Sequence, residues 1–284
     1  MLNRRKFIIV TAGVVTAFAS GVQAAKWHVG LSVPASKQVS MDKIDHSSWN
    51  ALLQKYVDER GRVNYKGLKA SSQDTRQLDR YLNLLSTAST TKTATKKAKL
   101  AFWINAYNAV TIKGILREYP TTSIRNHTAK FFGYNIWKEL LLRVGGKALS
   151  LEGIEHQVLR KMSEPRIHFA IVCASHSCPR LLNQAYTAEK LEEQLAMNSK
   201  DFFANRENFK YDVRKKQFQL SSILSWFAED FGKDQAAQLR TIAPYLPDAA
   251  SQQAARSNSV SVSYMTYDWS LNEQKSAASK KRQR

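Results

Sequence analysis

The 284-residue chain has only two cysteines, Cys173 and Cys178, with four residues between them. That scarcity excludes a framework of several disulfides, and the gap is wider than that of a C-x-x-C redox motif. Acidic residues are also few: 23 Asp and Glu stand against 43 Lys and Arg, for a formal charge of +20. Beyond residue 24 no run approaches the roughly 20 apolar residues needed to span a bilayer, so the rest of the chain is expected to be soluble or peripheral. No internal repeat is visible.

What is present begins with a targeting pattern. Asn3-Arg4-Arg5-Lys6-Phe7 is a basic start with paired arginines, an apolar stretch follows from Phe7, and Val22-Gln23-Ala24 ends it in a small-x-small cleavage pattern. Residues 1–24 are read as a twin-arginine-like signal, which implies a periplasmic or secreted bacterial protein. With the leader's three basic residues set aside, the charge is still about +17. This excess suits an anionic envelope partner, such as lipid, lipopolysaccharide or wall polymer, and nucleic acid is not expected at that address.

The chain is organised around residues 168–179, HFAIVCASHSCP. Ile167–Cys173 has few polar residues and no Gly or Pro, which predicts a core strand buried on both faces. On such a strand His168 and Cys173 would point to opposite sides. Ala174–Ser177 breaks the pattern, and Cys178 would then cap a short helix opening at Pro179, where the helix dipole favours a thiolate. Two cysteines so close in an exported chain can close a small disulfide ring or act as a redox pair.

Elsewhere the spacing predicts helices from Ser48 to Val57, over Leu78–Leu85, over Ala98–Arg117, over Leu151–Arg160 behind a Ser150 cap, from Thr187, from Ser221 or Ser222 to Phe231, and from Asp234 to just before Pro244. Strands are expected within Phe131–Trp137, over Leu140–Val144, in a hairpin of Phe209–Val213 with Gln217–Leu220, and over Ser259–Tyr267. On the long helix Lys99, Ala106, Lys113 and Arg117 mark a solvent side. Asn105 and Asn108 fall on the buried side, where each amide must find partners, either backbone of a neighbouring loop or a catalytic imidazole. Glu155 sits at the edge of a core stripe and is expected to pair with Arg160 or Arg166, or to titrate abnormally as part of a site.

The segments at 49–68, 101–116, 149–160, 166–181, 218–231 and 267–272, with AFWINAYNAV, LSLEGIEHQVLR, HFAIVCASHSCP and YDWSLN among them, together resemble the bacterial domain of unknown function 547 family. The resemblance implies one domain over 44–272; the lead-in at 25–43 carries no periodicity and reads as irregular, and 273–284 reads as a basic disordered tail. It supplies no reaction. Relatives usually carry Gly where this chain has Ala174, which would stiffen the loop. The expected class is α+β, a single domain with a central antiparallel or mixed sheet packed by several helices, for which a distant cysteine-protease- or transglutaminase-like arrangement is one form.

Three functions compete. The leading one is a non-catalytic basic module that binds or supports the envelope, with the cysteines as a staple. The alternative is a thiol-dependent hydrolase or acyl transferase, or a dithiol redox protein, acting on an envelope substrate. There Cys173 or Cys178 would be the nucleophile, His156 or His168 the base, and Asn105, Asn108 or Glu155 the orienting group. The third is a metal site on Cys173, His176 and Cys178 with His156 or His168 as a fourth ligand, a weak pattern that leaves no metal or cofactor in the preferred reading.

Overall fold

A computed structural model describes residues 26–129 and 134–274; the expected leader, part of the expected 131–137 strand and the basic end of the tail lie outside them. In chain order the elements are β1 (Trp27–Val29), α1 (Ser47–Tyr56), α2 (Tyr65–Ala70), α3 (Ser72–Leu85), α4 (Lys96–Glu118), α5 (Ile136–Glu139), β2 (Leu140–Val144) and β3 (Lys147–Ser150). A π-helical segment over Gly153–Leu159 and a 3-10 turn over Pro165–Phe169 precede α6 (Leu191–Ala204), β4 (Phe209–Asp212) and β5 (Gln217–Leu220). The chain ends with α7 (Ile223–Trp226), α8 (Ala228–Phe231), α9 (Gln235–Ile242), α10 (Ala249–Arg256) and β6 (Ser261–Tyr264).

The α+β class holds, but the centre is a helix. Thr95 caps α4 by accepting the Ala98 amide at 3.1 Å, and the helix is buried on almost every side, with Phe102, Ile104, Ala106, Val110 and Ile115 fully enclosed. The solvent face expected through Ala106 is therefore wrong at that residue. A helix apolar most of the way round belongs in the interior; Lys96 and Lys97 are exposed at its start, and beyond them only Lys99, Lys113, Arg117 and Glu118 reach partly outward. It packs against α2, α3, β2 and the π-helical segment. At Gly114 an added Cβ would come within 2.6 Å of Ile136 and 2.8 Å of Leu140, so the missing side chain is what lets α5 and β2 press against the helix.

The strands form two small sheets in place of one central one. In the first, β1 lies parallel to β2 with Trp27 opposite Leu140, and β2 runs antiparallel to β3 around Gly145 and Gly146, both at positive φ. The lead-in is thus not irregular throughout, since Trp27–Val29 completes a sheet. In the second, β4 and β5 make the expected hairpin and β6 joins β5 in parallel. This sheet covers a phenylalanine-rich core of Phe169, Phe202, Phe203, Phe209, Phe218 and Phe231, each enclosed ring worth about 2 kcal/mol. Helix α10 has no apolar stripe to announce it, but Asp248 and Ser251 close a capping box at its start.

Three further expectations are corrected. Ile167–Cys173 is no strand: Pro165 opens a 3-10 turn whose first amide, on Arg166, is taken by Glu164 at 3.1 Å, and the chain continues as irregular buried backbone. Cys178 caps no helix, because residues 179–187 are non-helical. At the C-terminal side, Glu273 and Gln274 are held, the first by Tyr119 Oη at 2.5 Å and the second through the Tyr56 and Arg62 carbonyls at 3.2 and 3.1 Å.

Candidate functional site

Irregular backbone inside a core must have its polar groups satisfied, and buried amides do that here. Asn108 donates to the Ala170 carbonyl at 3.0 Å and accepts from the Val172 amide at 2.9 Å, which gives residues 170–172 the bonds that a neighbouring strand would have supplied. Asn198 donates to the Phe169 carbonyl at 3.1 Å. Asn105 does the same for Tyr186, donating at 2.8 Å and accepting at 2.9 Å. Neither Asn105 nor Asn108 hydrogen-bonds to a histidine or a sulfur; both are clamps on backbone.

Beyond Val172 the chain turns sharply at Ala174, which adopts φ +58°, a left-handed conformation that costs a residue with a Cβ about 1 kcal/mol. The turn is held from outside by the 267–272 segment. The His176 amide donates to the Ser270 carbonyl at 2.7 Å, the Asn272 amide to the Ala174 carbonyl at 3.0 Å, and Ser177 and Asp268 bond each other twice. As a result Cys173 and Cys178 meet across a five-residue span. Both are free thiols. The Cys173 amide donates to Cys178 Sγ at 3.0 Å, and the Tyr267 hydroxyl reaches Cys173 Sγ at 3.3 Å and Cys178 Sγ at 3.2 Å. Ser175 Oγ lies 2.9 Å from Cys173 Sγ and 2.8 Å from Tyr267 Oη.

These contacts split the two thiols. Burial would push the Cys178 thiol up, but hydrogen bonds from Cys173, Ser175 and Tyr267 outweigh it and bring the group down to about 6. For Cys173 burial prevails, helped by its partner thiol, and the proton is held well above the usual thiol range. Cys178 is thus held toward the thiolate and Cys173 toward the thiol.

Both cysteines line a cleft of about 310 Å³. Glu155, His156, His168 and Tyr107 line it too, so His168 and Cys173 share a cavity instead of facing opposite sides. Glu155 makes neither expected ion pair: Arg160 is taken by Asp230 and Glu229, and Arg166 by Glu164 and Glu192. Instead Glu155 accepts from Tyr107 Oη at 3.1 Å, and burial raises its carboxyl above the ordinary range. His168 is stacked on Phe227 at 4.2 Å and bonded through Nε2 to Asp230 Oδ2 at 2.7 Å. Burial lowers its pKa to about 4 despite the carboxylate, so the ring is neutral. His156 sits outside that bond, with Nδ1 3.0 Å from Arg160. Among the described residues no imidazole hydrogen-bonds to either sulfur, and no three His, Cys, Asp or Glu side chains are gathered as a metal site. His176 is engaged by Glu207 at 3.2 Å and Arg62 at 3.3 Å.

Five aromatic side chains also line the cleft: Trp137, Trp226, Phe227, Tyr267 and Trp269, with Tyr267 packed against Trp226 and Trp269. Of these residues and their partners, Tyr107, Ser175, Trp226, Asp230, Tyr267 and Trp269 were not singled out by the sequence as site residues. The signal available was that Asp230 and Tyr267-Asp268-Trp269 lie inside the segments that carry the family resemblance.

A family model described as a protein of unknown function, DUF547, matches residues 91–203. Over this stretch the chain is similar to the DUF547 family. No curated protein and no solved structure matches the chain. The DUF547 stretch contains α4 with its two clamping amides, Glu155, both histidines of the cleft and both cysteines, whereas Trp226, Asp230, Tyr267 and Trp269 come from outside it.

Proposed function

We propose that the cleft is a thiol–disulfide exchange site in which Cys178 attacks and Cys173 resolves. The observation that carries this reading is the sharing of one tyrosine hydroxyl by both free sulfurs at 3.2–3.3 Å, with the Cys173 amide on the Cys178 sulfur. The Cys178 thiolate attacks one sulfur of a substrate disulfide, the substrate's S–S bond breaks, and the departing thiolate takes the Cys173 proton. The new thiolate attacks the mixed disulfide, a Cys173–Cys178 bond forms, and the second substrate thiolate leaves to be protonated from water. The sum is two substrate thiols for one protein disulfide.

Reduced protein mixed with oxidised glutathione tests this by mass. The expected result is a product two hydrogens lighter than the reduced chain with two glutathione released, and a Cys173→Ser variant arrested as a glutathione adduct on Cys178. Stable adducts on the wild-type chain, or no reaction, would overturn it.

A thiol hydrolase or acyl transferase is the second reading, and the His168–Asp230 bond at the cleft wall favours it. It would show as a burst of alcohol release from an activated ester, lost in His168→Gln. Export and attachment to an anionic envelope component remain proposals that rest on the leader pattern and the charge of +20. They are compatible with either chemistry.

A further inference from the structure

We propose that the dithiol's electron partner is a small neutral quinone whose ring lies flat against the Trp226–Trp269 platform at the cleft. This rests on the exchange reading above and adds to it the substrate class. Trp226 and Trp269 stack with ring centroids 5.7 Å apart at 22°, and Tyr267 packs against both at 4.8 and 4.6 Å. Trp226 nonetheless leaves 49% of its surface exposed, although indole is the side chain that gains most from cover. An open aromatic face therefore adjoins the sulfurs, which sit in a concavity and not on a convex rim.

Shape, charge and chemistry each narrow the occupant. About 310 Å³ admits one or two fused rings but not the disulfide loop of a folded protein. At the rim Lys138 faces Glu152 at 4.0 Å, so the opposed charges favour a neutral ligand over a phosphorylated cofactor. A planar ring that takes two electrons and two protons from a dithiol, with no group to expel, is a quinone. The Cys178 thiolate adds to a ring carbon while a ring oxygen takes the Cys173 proton. The Cys173 thiolate then attacks the Cys178 sulfur, the S–C bond breaks, the S–S bond forms, and the hydroquinone leaves with its second proton from water.

The probe is tetramethyl-1,4-benzoquinone, whose fully substituted ring cannot rearomatise to trap the thioether. The Cys173→Ser/Cys178→Ser variant isolates binding from reaction. It should show saturable quenching of tryptophan fluorescence, with the dissociation constant raised about tenfold by Trp226→Ala or Trp269→Ala and largely restored by Trp226→Phe. Reduced wild-type protein, kept free of oxygen, should yield one hydroquinone per chain as Cys173 and Cys178 join. Absent quenching, quenching indifferent to both tryptophan substitutions, or no hydroquinone would overturn the proposal. Glutathione exchange run in parallel separates the two claims: if it proceeds while the quinone does not bind, only the quinone is rejected, and if neither proceeds the dithiol reading falls as well.

Discussion

The two walls of the cleft differ in what they are made of and in how they are held. The DUF547 wall, from Tyr107 to Cys178, carries both sulfurs, both imidazoles and Glu155, and it is fixed by amides of α4 and α6 bonded to irregular backbone. The opposite wall, from Ile223 to Trp269, is mostly aromatic and contributes two polar groups that reach across: Asp230 to His168, and Tyr267 to the thiols. One wall holds reactive atoms in place, and the other tunes them and leaves an open face. The difference suggests that chemistry and recognition were assigned to separate stretches of chain.

If the first wall depends on its clamps, removing one should cost the most. Asn108→Ala strands the Val172 amide and the Ala170 carbonyl in the core, an expected loss of about 2–4 kcal/mol by urea unfolding. Substitution at exposed Trp226 should leave stability within about 0.5 kcal/mol, and a comparable loss there would erase the distinction between the walls.

Acid should expose the same contrast. His168 and His46 are both lowered by burial to about 4, from an ordinary value near 6.5. The unfolded chain therefore binds protons that the folded chain refuses between pH 6.5 and 4, and stability falls as pH drops through that window. The shift corresponds to at most about 3 kcal/mol for each ring. Unfolding midpoints at pH 7.5 and 5 should differ, and His46→Gln should remove about half of the difference. An unchanged difference would place the acid sensitivity elsewhere.

Smaller effects test the reach of the second wall. Tyr267→Phe removes the hydroxyl shared by both sulfurs, so the Cys178 thiol should rise toward its ordinary value and its alkylation at pH 7 should slow by up to about tenfold. Ala174→Gly relieves the left-handed strain at the cost of a more flexible unfolded chain, for a net gain of about 0.5 kcal/mol in thermal unfolding.

The cysteines, the histidines and Glu155 of the first wall were legible because they sit close together in the chain or on strong patterns, whereas Tyr107 and Ser175 carried no such signal. The apolar α4, the Ser150 cap, the hairpin and the cysteine loop can be read locally, and the amides at Asn105 and Asn108 announce that they need backbone partners. The same amides caused the main error. A run such as Ile167–Cys173 looks like a strand unless one knows that side chains from distant helices supply its missing bonds. The second wall was not legible as a site, because Asp230 reaches His168, Tyr267 reaches the cysteine loop and Trp269 reaches the cleft from more than 50 residues away, and no spacing rule connects them. The charge excess gives an amount and no location.

The division of labour between the two thiols can be read from one titration. Each cysteine's alkylation rate is followed against pH in the fully reduced chain and assigned by peptide mapping. The expected result is a Cys178 rate that rises to half its maximum near pH 6 while Cys173 stays unreactive through neutral pH. A Cys173 that reacts first, or two sulfurs that titrate together at the ordinary thiol value, would contradict the pairing of an attacking thiolate with a resolving thiol.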